Sequence, residues 1–526
     1  MKEIKERGGR SLAMAVEAAY ARGAGDYAMP PLVAQKHNGT FPGKIQDGDS
    51  VVFCCRRGER EIELTEMFTD PMFSAVERKP LQDLFFVTLT LYHEKFRDLS
   101  VAFQPQRLED TLAQAVSQAG KTQFHCAESE KFAHITFFLN GGNHQPVTGE
   151  TDVCIPTVKG IPFEKQPAMR IYDVTEAVVD ALDQYDLIAV NFANGDVIGH
   201  TASCSAKLET ARHISQCLKR LTDEAKKHGY VTLVTADHGN LERMLTPKGT
   251  PDVAHTTNPV PFVLIDPQTN ASVKLKDGLS LSSVAPTILQ IMGIEKPDTM
   301  TAESLLTAPL SSEGRKAVLV ILDGWGMGEQ DETNPIYLGE TEPWKTLLSA
   351  HPHTLLSACG THVGLGTGKP GNSEAGHMNL GAGRMVPQDD QRLEASMGDG
   401  SFEQNPVFLE AIANAKRHNK ALHLISYLSH KSSHGEIGYA LKLCAMAREL
   451  EQVYLHVIFD GRSTESGSAP AMLRELDEAL CEIGQGMIVD GIGRGYVLDR
   501  DHNWEKVKQG YDAMVLGAGT PYELGE

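Results

Sequence analysis

The stretch KAVLVILDGWG, Lys316 to Gly326, decides the fold. Its short apolar run is rich in Val, Ile and Leu and breaks off at Asp323 and a tryptophan between two glycines. Such a run suits a strand covered on both faces of a parallel sheet. YDLIAVNF (Tyr185 to Phe192) and YVTLVTAD (Tyr230 to Asp237) share the pattern. Between such runs lie helical candidates, among them TARHISQCLKRLTDEAKKHG, which stops on Gly229. Strands alternating with helical periodicity indicate an α/β fold. Ligands of open α/β sheets bind at the carboxyl ends of the strands. Here those ends are polar: Asp323 follows one run, Asp237 with His238, Gly239 and Asn240 another, and ANGDVIGH, with Asp196 and His200, the third. These residues, far apart in sequence, are expected to converge.

The rest of the chain sets bounds. Its 526 residues exceed one ordinary core, so two or three domains are expected. TAPLSSEGRK, Thr307 to Lys316, is the best linker by composition, and no internal repeat or low-complexity tract is visible. A hydrophobic share of 41% and a charged share of 22% are those of an ordinary globular chain. The net charge of -20 argues against a nucleic-acid or anionic-membrane partner, while leaving room for a local basic pocket that takes a small anion. Nine cysteines without CxxC pairs or disulfide-like spacing fit a reducing, cytoplasmic setting. The charged start MKEIKERGGRSLAM has no apolar core of signal-peptide length, and no later run reaches the about 18 apolar residues of a membrane span.

The strand ends carry metal-binding chemistry. Asp196 and His200, four apart, project to one side of a helical turn, as a chelating pair requires. His255, in AHTTNPVPF, supplies a further imidazole. Carboxylate and imidazole without thiolate suit Mn²⁺, Zn²⁺ or a related divalent ion. Each residue also has a plainer role, since an Asp after a strand often only turns the chain and a His is often a satisfied core group. GKPGNSEAGH, Gly368 to His377, poses the same choice: Ser373 is either a nucleophile or the cap of a helix that begins there.

VLVILDGWG, GNSEAGHMNLGAGR, NFANGDVIGHT, TADHGN and HTTNPVPF together resemble the motifs of the cofactor-independent phosphoglycerate mutases of the alkaline phosphatase superfamily. ESEKFAHITFFLNGG, GRGYVLDRDHNWEKV and the region around DGRST extend the resemblance over nearly the whole chain. The order is rotated: the family carries DGWG and GNSEAGH near its beginning and the other three motifs near its end, whereas here the latter come first. The resemblance therefore implies a circularly permuted chain. Its fold would be an alkaline-phosphatase-like α/β/α sandwich over residues 97–389, plus a smaller α/β substrate-orienting (transferase) domain assembled from residues 1–96 and 390–526.

Carried over residue by residue, the resemblance implies two divalent ions, Mn²⁺ first and Zn²⁺, Co²⁺ or Mg²⁺ as alternatives. One is held by Asp196, His200 and His255, the other by Asp237, His238, Asp323 and Ser373. It implies Ser373 as the nucleophile, forming a phosphoserine during interconversion of 3-phosphoglycerate and 2-phosphoglycerate without added 2,3-bisphosphoglycerate. Arg57, Arg60, Lys131, His434, Arg462, Arg494 and Arg500 would bind the phosphoglycerate, and the chain would act as a monomer. Three departures concern the substrate half. SHKSSHGE replaces SDGGVHSH, so that His430, Lys431 and Glu436 stand in altered positions; Ser463 stands where the family has an aspartate; and RGER replaces RPDR. They leave open a related phosphomutase, a metal-dependent phosphatase acting on another small phosphate ester, or a non-catalytic metal-bound scaffold.

Overall fold

The first four strands are β1 (Leu32–Gln35), β2 (Ser50–Cys54), β3 (Phe85–Thr90) and β4 (Ser100–Phe103). Seven follow: β5 (Gln123–Glu128), β6 (Glu150–Ile155), β7 (Leu187–Phe192), β8 (Val231–Thr235), β9 (Val260–Ile265), β10 (Ala317–Leu322) and β11 (His353–Leu356). The last four are β12 (Leu422–Leu428), β13 (Val453–Phe459), β14 (Met487–Gly493) and β15 (Thr520–Glu523). The structure is a computed structural model that describes residues 6–56, 58, 60–268, 273–310, 314–430, 432 and 434–525. The chain divides into a central unit, Gln106–Gln391, and a terminal unit formed by the segments before and after it.

In the central unit the strands run in the order β11-β9-β8-β10-β7-β5-β6. The stretch quoted at the outset forms β10, buried at every residue and paired in parallel with β7 and β8. Only β9 opposes its neighbours, β8 and β11. Helices Ile171–Ala181, Cys204–Lys227 and Glu342–Ala350 form one packed group on the sheet, and Leu112–Gln118, Val284–Met292 and Ser373–Ala382 a second. This is the expected α/β/α sandwich, and its apolar side chains make one continuous core. The long helix starts earlier than its periodicity suggests because the Ser203 hydroxyl accepts the Ala206 N–H at 3.3 Å. The Thr307 to Lys316 stretch leads into β10 inside this unit; its residues 311–313 lie outside the described residues.

The terminal unit interleaves the two ends of the chain in one sheet, β15-β1-β14-β13-β12-β2-β3-β4. All neighbours are parallel except β1 and β14. Alternate residues enter two different cores: Val52, Cys54, Leu422 and Leu424 one, Val51, Phe53, Ile425 and Tyr427 the other. A sheet covered on both faces needs apolar residues at both parities, which these strands supply. Residues 97–105 belong here and not with the central sheet, as the sequence reading had it, because β4 pairs with β3.

Where β2 meets β12, a buried polar chain joins the two sequence ends. The Asp49 carboxylate accepts the Gln46 N–H (2.7 Å) and the Ala421 N–H (3.1 Å) and meets His423 Nε2 at 3.1 Å. His423 Nδ1 meets His456 Nε2 at 2.9 Å, and His456 Nδ1 meets Asp490 Oδ2 at 2.6 Å. Burial pushes the Asp49 carboxyl up, but the His423 hydrogen bond and charge, with the two backbone donors, hold it below the ordinary carboxylate range. A depressed folded-state value contributes stability above the unfolded value, about pH 4, and loses it as pH falls further. Asp49→Ala should therefore cost about 3 kcal/mol in urea unfolding at pH 7 and weaken the acid dependence. A change below about 0.5 kcal/mol would show that the seam does not depend on this group.

Candidate active site

The carboxyl ends of β5, β7, β8 and β10 bring the polar residues of the central unit together. Asp323 directly follows β10, and Gly324 then turns the chain with φ 74°. A Cβ at Gly324 would stand 2.7 Å from the Asp196 backbone nitrogen, so only glycine lets these strand ends approach. Asp196 lies in the short helix Asn194–Gly199 after β7, and His200 ends that helix. Asp237 and His238 follow β8, and Asp237 Oδ1 accepts the N–H groups of Gly324 (3.1 Å) and His238 (3.0 Å). Lys131 is presented by the turn Ser129–Lys131 that follows β5. Gly376 packs the helix Ser373–Ala382 onto Asp237, where a Cβ would meet the Asp237 carbonyl at 2.6 Å.

Ser373 does not cap its helix. Asn372 is the cap, its side-chain oxygen accepting the Ala375 N–H at 2.8 Å. The serine hydroxyl is thereby free of backbone duty and points among charged groups. Its Oγ accepts from Lys131 Nζ at 2.6 Å, lies 3.0 Å from His238 Nε2 and donates to Asp323 Oδ1 at 3.2 Å. Lys131 Nζ also reaches Asp196 Oδ2 at 2.7 Å and Asp323 Oδ1 at 2.8 Å. The lysine, the serine and the three aspartates are all buried.

Electrostatics follow from that burial. Burial alone would lower the Lys131 ammonium, but Asp323, Asp196 and Asp237 hold it above its ordinary value. Burial opposes ionisation of Asp196, yet hydrogen bonds from His200 and His255 and the charge of Lys131 keep it well below the usual range. Asp237 is likewise held well down, against burial, by His238, His377 and Lys131. Asp323 is pushed up by burial and by Asp237. The Asp196 hydrogen bond raises His200.

The donor set fits divalent ions. His200 Nδ1 donates to the Val253 carbonyl (2.8 Å) and His255 Nδ1 to that of Gly371 (2.7 Å), so each neutral ring would present its Nε2 lone pair to an ion. Those nitrogens are 3.0 Å apart and lie 3.2 and 3.0 Å from Asp196 Oδ1. With the imidazoles neutral, acceptors converge there, each ring fixed by a backbone carbonyl, an arrangement that a cation satisfies in place of the shared protons. A second group comprises Asp237, Asp323 and His377, and Asp237 Oδ2 in it is buried without a hydrogen-bond partner among the described residues. His238 stacks on His255, ring centroids 4.0 Å apart, with Nε2 3.8 Å from Asp196 Oδ1 and 3.4 Å from Asp237 Oδ2, so it borders both groups.

Three members were not assigned from sequence. His377 Nδ1 donates to the Ser373 carbonyl at 2.9 Å, one helical turn back, a spacing visible in GNSEAGH. Asn191 donates through Nδ2 to Asp323 Oδ2 (2.7 Å) and His377 Nε2 (2.9 Å), and its only signal was a polar residue inside an apolar strand. Asn240 Nδ2 donates to Asp196 Oδ1 at 3.1 Å.

In the terminal unit, the residues expected to bind substrate follow β2, β12, β13 and β14, again at carboxyl ends. Arg494 is buried, pairs with Asp460 and lies over the Tyr427 ring at 5.6 Å. His434 is also buried, stacks on Tyr427 and meets Glu61 Oε1 at 3.1 Å through Nδ1. Arg60 is half-buried and donates to the Leu498 carbonyl at 3.2 Å. Arg462 and Arg500 are exposed, and Arg57 lies outside the described residues. Of the departures, His430 is exposed and pairs with Glu475 at 3.2 Å, Glu436 precedes helix Ile437–Met446, Ser463 is exposed, and Lys431 is outside the described residues.

The family model described as the Metalloenzyme superfamily matches residues 30–296, just over half of the chain. The chain belongs to that superfamily. A second model, described as the BPG-independent PGAM N-terminus, matches residues 393–524 of this superfamily member. An N-terminal module matched near the far end of the chain is the rotated order read from the motifs. The 2,3-bisphosphoglycerate-independent phosphoglycerate mutase of Flavobacterium psychrophilum is 38% identical over 295 residues, 56% of this chain and 57% of that protein. The enzyme of the same name from Syntrophotalea carbinolica is 41% identical over 300 residues, again 56% and 57%. The matches thus span little more than half the length of these curated relatives. A crystal structure of Leishmania mexicana phosphoglycerate mutase at low cobalt concentration is 27% identical, with a TM-score of 0.42, covering 52% of this chain and 53% of that one. No helix among the described residues is long and apolar enough to cross a membrane.

Lys131 offsets three buried carboxylates when no other cation does. Lys131→Met should lower stability in chelator by about 3 kcal/mol, and Mn²⁺ should restore more stability to the variant than to the unmodified chain. Thermal unfolding with chelator and with Mn²⁺ reads both effects; equal stability in chelator would contradict this role.

Proposed function

We propose that the chain interconverts 3-phosphoglycerate and 2-phosphoglycerate, with Ser373 as the carrier of the phosphoryl group. The observation that supports it most is the Ser373 hydroxyl itself, uncommitted to capping and set 2.6 Å from Lys131 Nζ beside two groups of candidate metal ligands. Similarity to proteins named as phosphoglycerate mutases supports the substrate. Ser373 Oγ attacks phosphorus; its new O–P bond forms as the ester O–P bond of the substrate breaks, leaving a phosphoserine and glycerate. The other glycerate hydroxyl then attacks the phosphoserine and releases Oγ. Each half exchanges one O–P bond for another, so water is neither used nor formed.

Asp196, His200 and His255 would hold one divalent ion, and Asp237, His238 and Asp323 the other, with Ser373 beside it. Bound there, such ions lower the hydroxyl pKa and draw charge from the phosphoryl oxygens. Lys131 adds a fixed positive charge beside the nucleophile. Mn²⁺ is the proposed ion, though the same donors accept Zn²⁺, Co²⁺ or Mg²⁺. Arg57, Arg60, His434, Arg462, Arg494 and Arg500 are assigned to the phosphoglycerate, whose carboxylate and phosphate suit guanidinium forks. Residues 97–389 are proposed as the phosphatase-like part, less the β4 segment, and the terminal unit as the transferase part. A cytoplasmic monomer that needs no 2,3-bisphosphoglycerate completes the proposal.

Metal-loaded protein should convert 3-phosphoglycerate to 2-phosphoglycerate with little free phosphate, and Ser373→Ala should lose at least about a thousandfold in rate. Following both products in one assay separates the readings. Free phosphate alone would identify a hydrolase, in which water attacks the phosphoserine. Neither product would mean that the altered SHKSSHGE and DGRST segments select another ester.

A further inference from the structure

The central unit buries a second set of metal-binding side chains that the proposed reaction does not use. His125 and Asp152 are register partners on the parallel neighbours β5 and β6, and Glu150, two residues before Asp152, shares their face. His125 Nδ1 lies 3.2 Å from Glu150 Oε1 and 3.9 Å from Asp152 Oδ1. The side chains are 1%, 0% and 18% exposed, respectively. All three donor atoms lie within 4.8 Å of one another.

We propose that His125, Glu150 and Asp152 form a third site for a divalent transition ion, one that fixes edge strand β6 to β5. The decisive feature is the direction of the histidine ring. Its Nδ1 is buried, lies 3.2 Å from Glu150 Oε1 and has no hydrogen-bond partner among the described residues. In the tautomer protonated at Nε2, the lone pair of Nδ1 faces two carboxylates. Asp152 Oδ1 is likewise buried without a hydrogen-bond partner among the described residues. Glu150 is held in place from behind, accepting Asn140 Nδ2–H at 2.6 Å and the Val147 N–H at 2.8 Å. A carboxylate anchored by two donors is the kind of support that orients a metal ligand.

The charge state agrees with that geometry. Burial pushes His125 down to about 4, and burial with the neighbouring Glu150 pushes Asp152 up to about 6. Near pH 7 His125 thus offers a neutral imidazole and Asp152 a carboxylate, the forms that bind metal. One nitrogen and several oxygens suit Zn²⁺ or Mn²⁺. The inference does not rest on the role of Ser373, because His125 lies six residues before Lys131 and within the strand rather than at its end.

The test counts ions. Full-length protein is stripped with chelator, equilibrated with Zn²⁺ or Mn²⁺, desalted and analysed for metal per chain, alongside Asp152→Asn and Glu150→Gln. Each variant should bind one ion fewer than the unmodified chain, or hold that ion more than about tenfold more weakly. Far-UV circular dichroism and the unfolding midpoint in chelator show that each variant is folded. Asp152→Asn is the safer of the two, since its side chain is nearest to solvent. A chain already lacking the other site through Asp196→Asn and Asp237→Asn should keep one ion and lose it on adding Asp152→Asn. An unchanged ion count in folded Asp152→Asn would overturn the proposal and leave a shared proton as what joins the three groups.

Discussion

Three carboxylates, Asp196, Asp237 and Asp323, are buried around one lysine and one serine. Buried charge is tolerated only when it is paired and hydrogen-bonded. Lys131, the imidazoles of His200, His238, His255 and His377, and the amides of Asn191 and Asn240 are arranged to meet that demand. Most of the central unit serves the same end. The parallel strands aim their carboxyl ends at one place, Gly324 and Gly376 let backbones come close enough, and Asn372 caps the helix so that Ser373 need not. A chain with these carboxylates and without such partners would not keep this core.

The sheet of the central unit was legible because β7, β8 and β10 are short runs of Val, Ile and Leu that end in Asp or in an Asp-His segment. Asp196 and His200 could be paired from their spacing alone. His377 and Asn191 escaped because their roles depend on contacts across the sheet, and no local pattern in the sequence separates a polar residue in β7 from an ordinary one. The capping question at Ser373 was not decidable from GNSEAGH, where Asn372 and Ser373 are both good caps; the Asn372 side chain decided it. The boundary near residue 97 was misplaced because β4 is short and its allegiance is fixed by pairing with β3, not by its own composition.

The terminal unit adds a different constraint. Its sheet takes strands from both ends of the chain, with β1 set between β15 and β14 and β12 beside β2, and the Asp49 to Asp490 polar chain crosses β12 and β13. A rotated order is compatible with such a sheet because pairing depends on spatial neighbours, not on the order in which they are made. The buried charged groups of the central unit, Asp196, Asp237, Asp323 and Lys131, stand in segments that match the motifs quoted for the family, whereas His430 and Ser463, which depart from them, are exposed.

The account turns on whether Ser373 becomes phosphorylated during turnover. Metal-loaded protein mixed with 3-phosphoglycerate and quenched in acid within the first turnovers should show, by intact-chain mass and peptide mapping, one added phosphoryl group on the peptide that carries Ser373. Steady product formation with no phosphoryl group on the chain, or with the group on another residue, would contradict it.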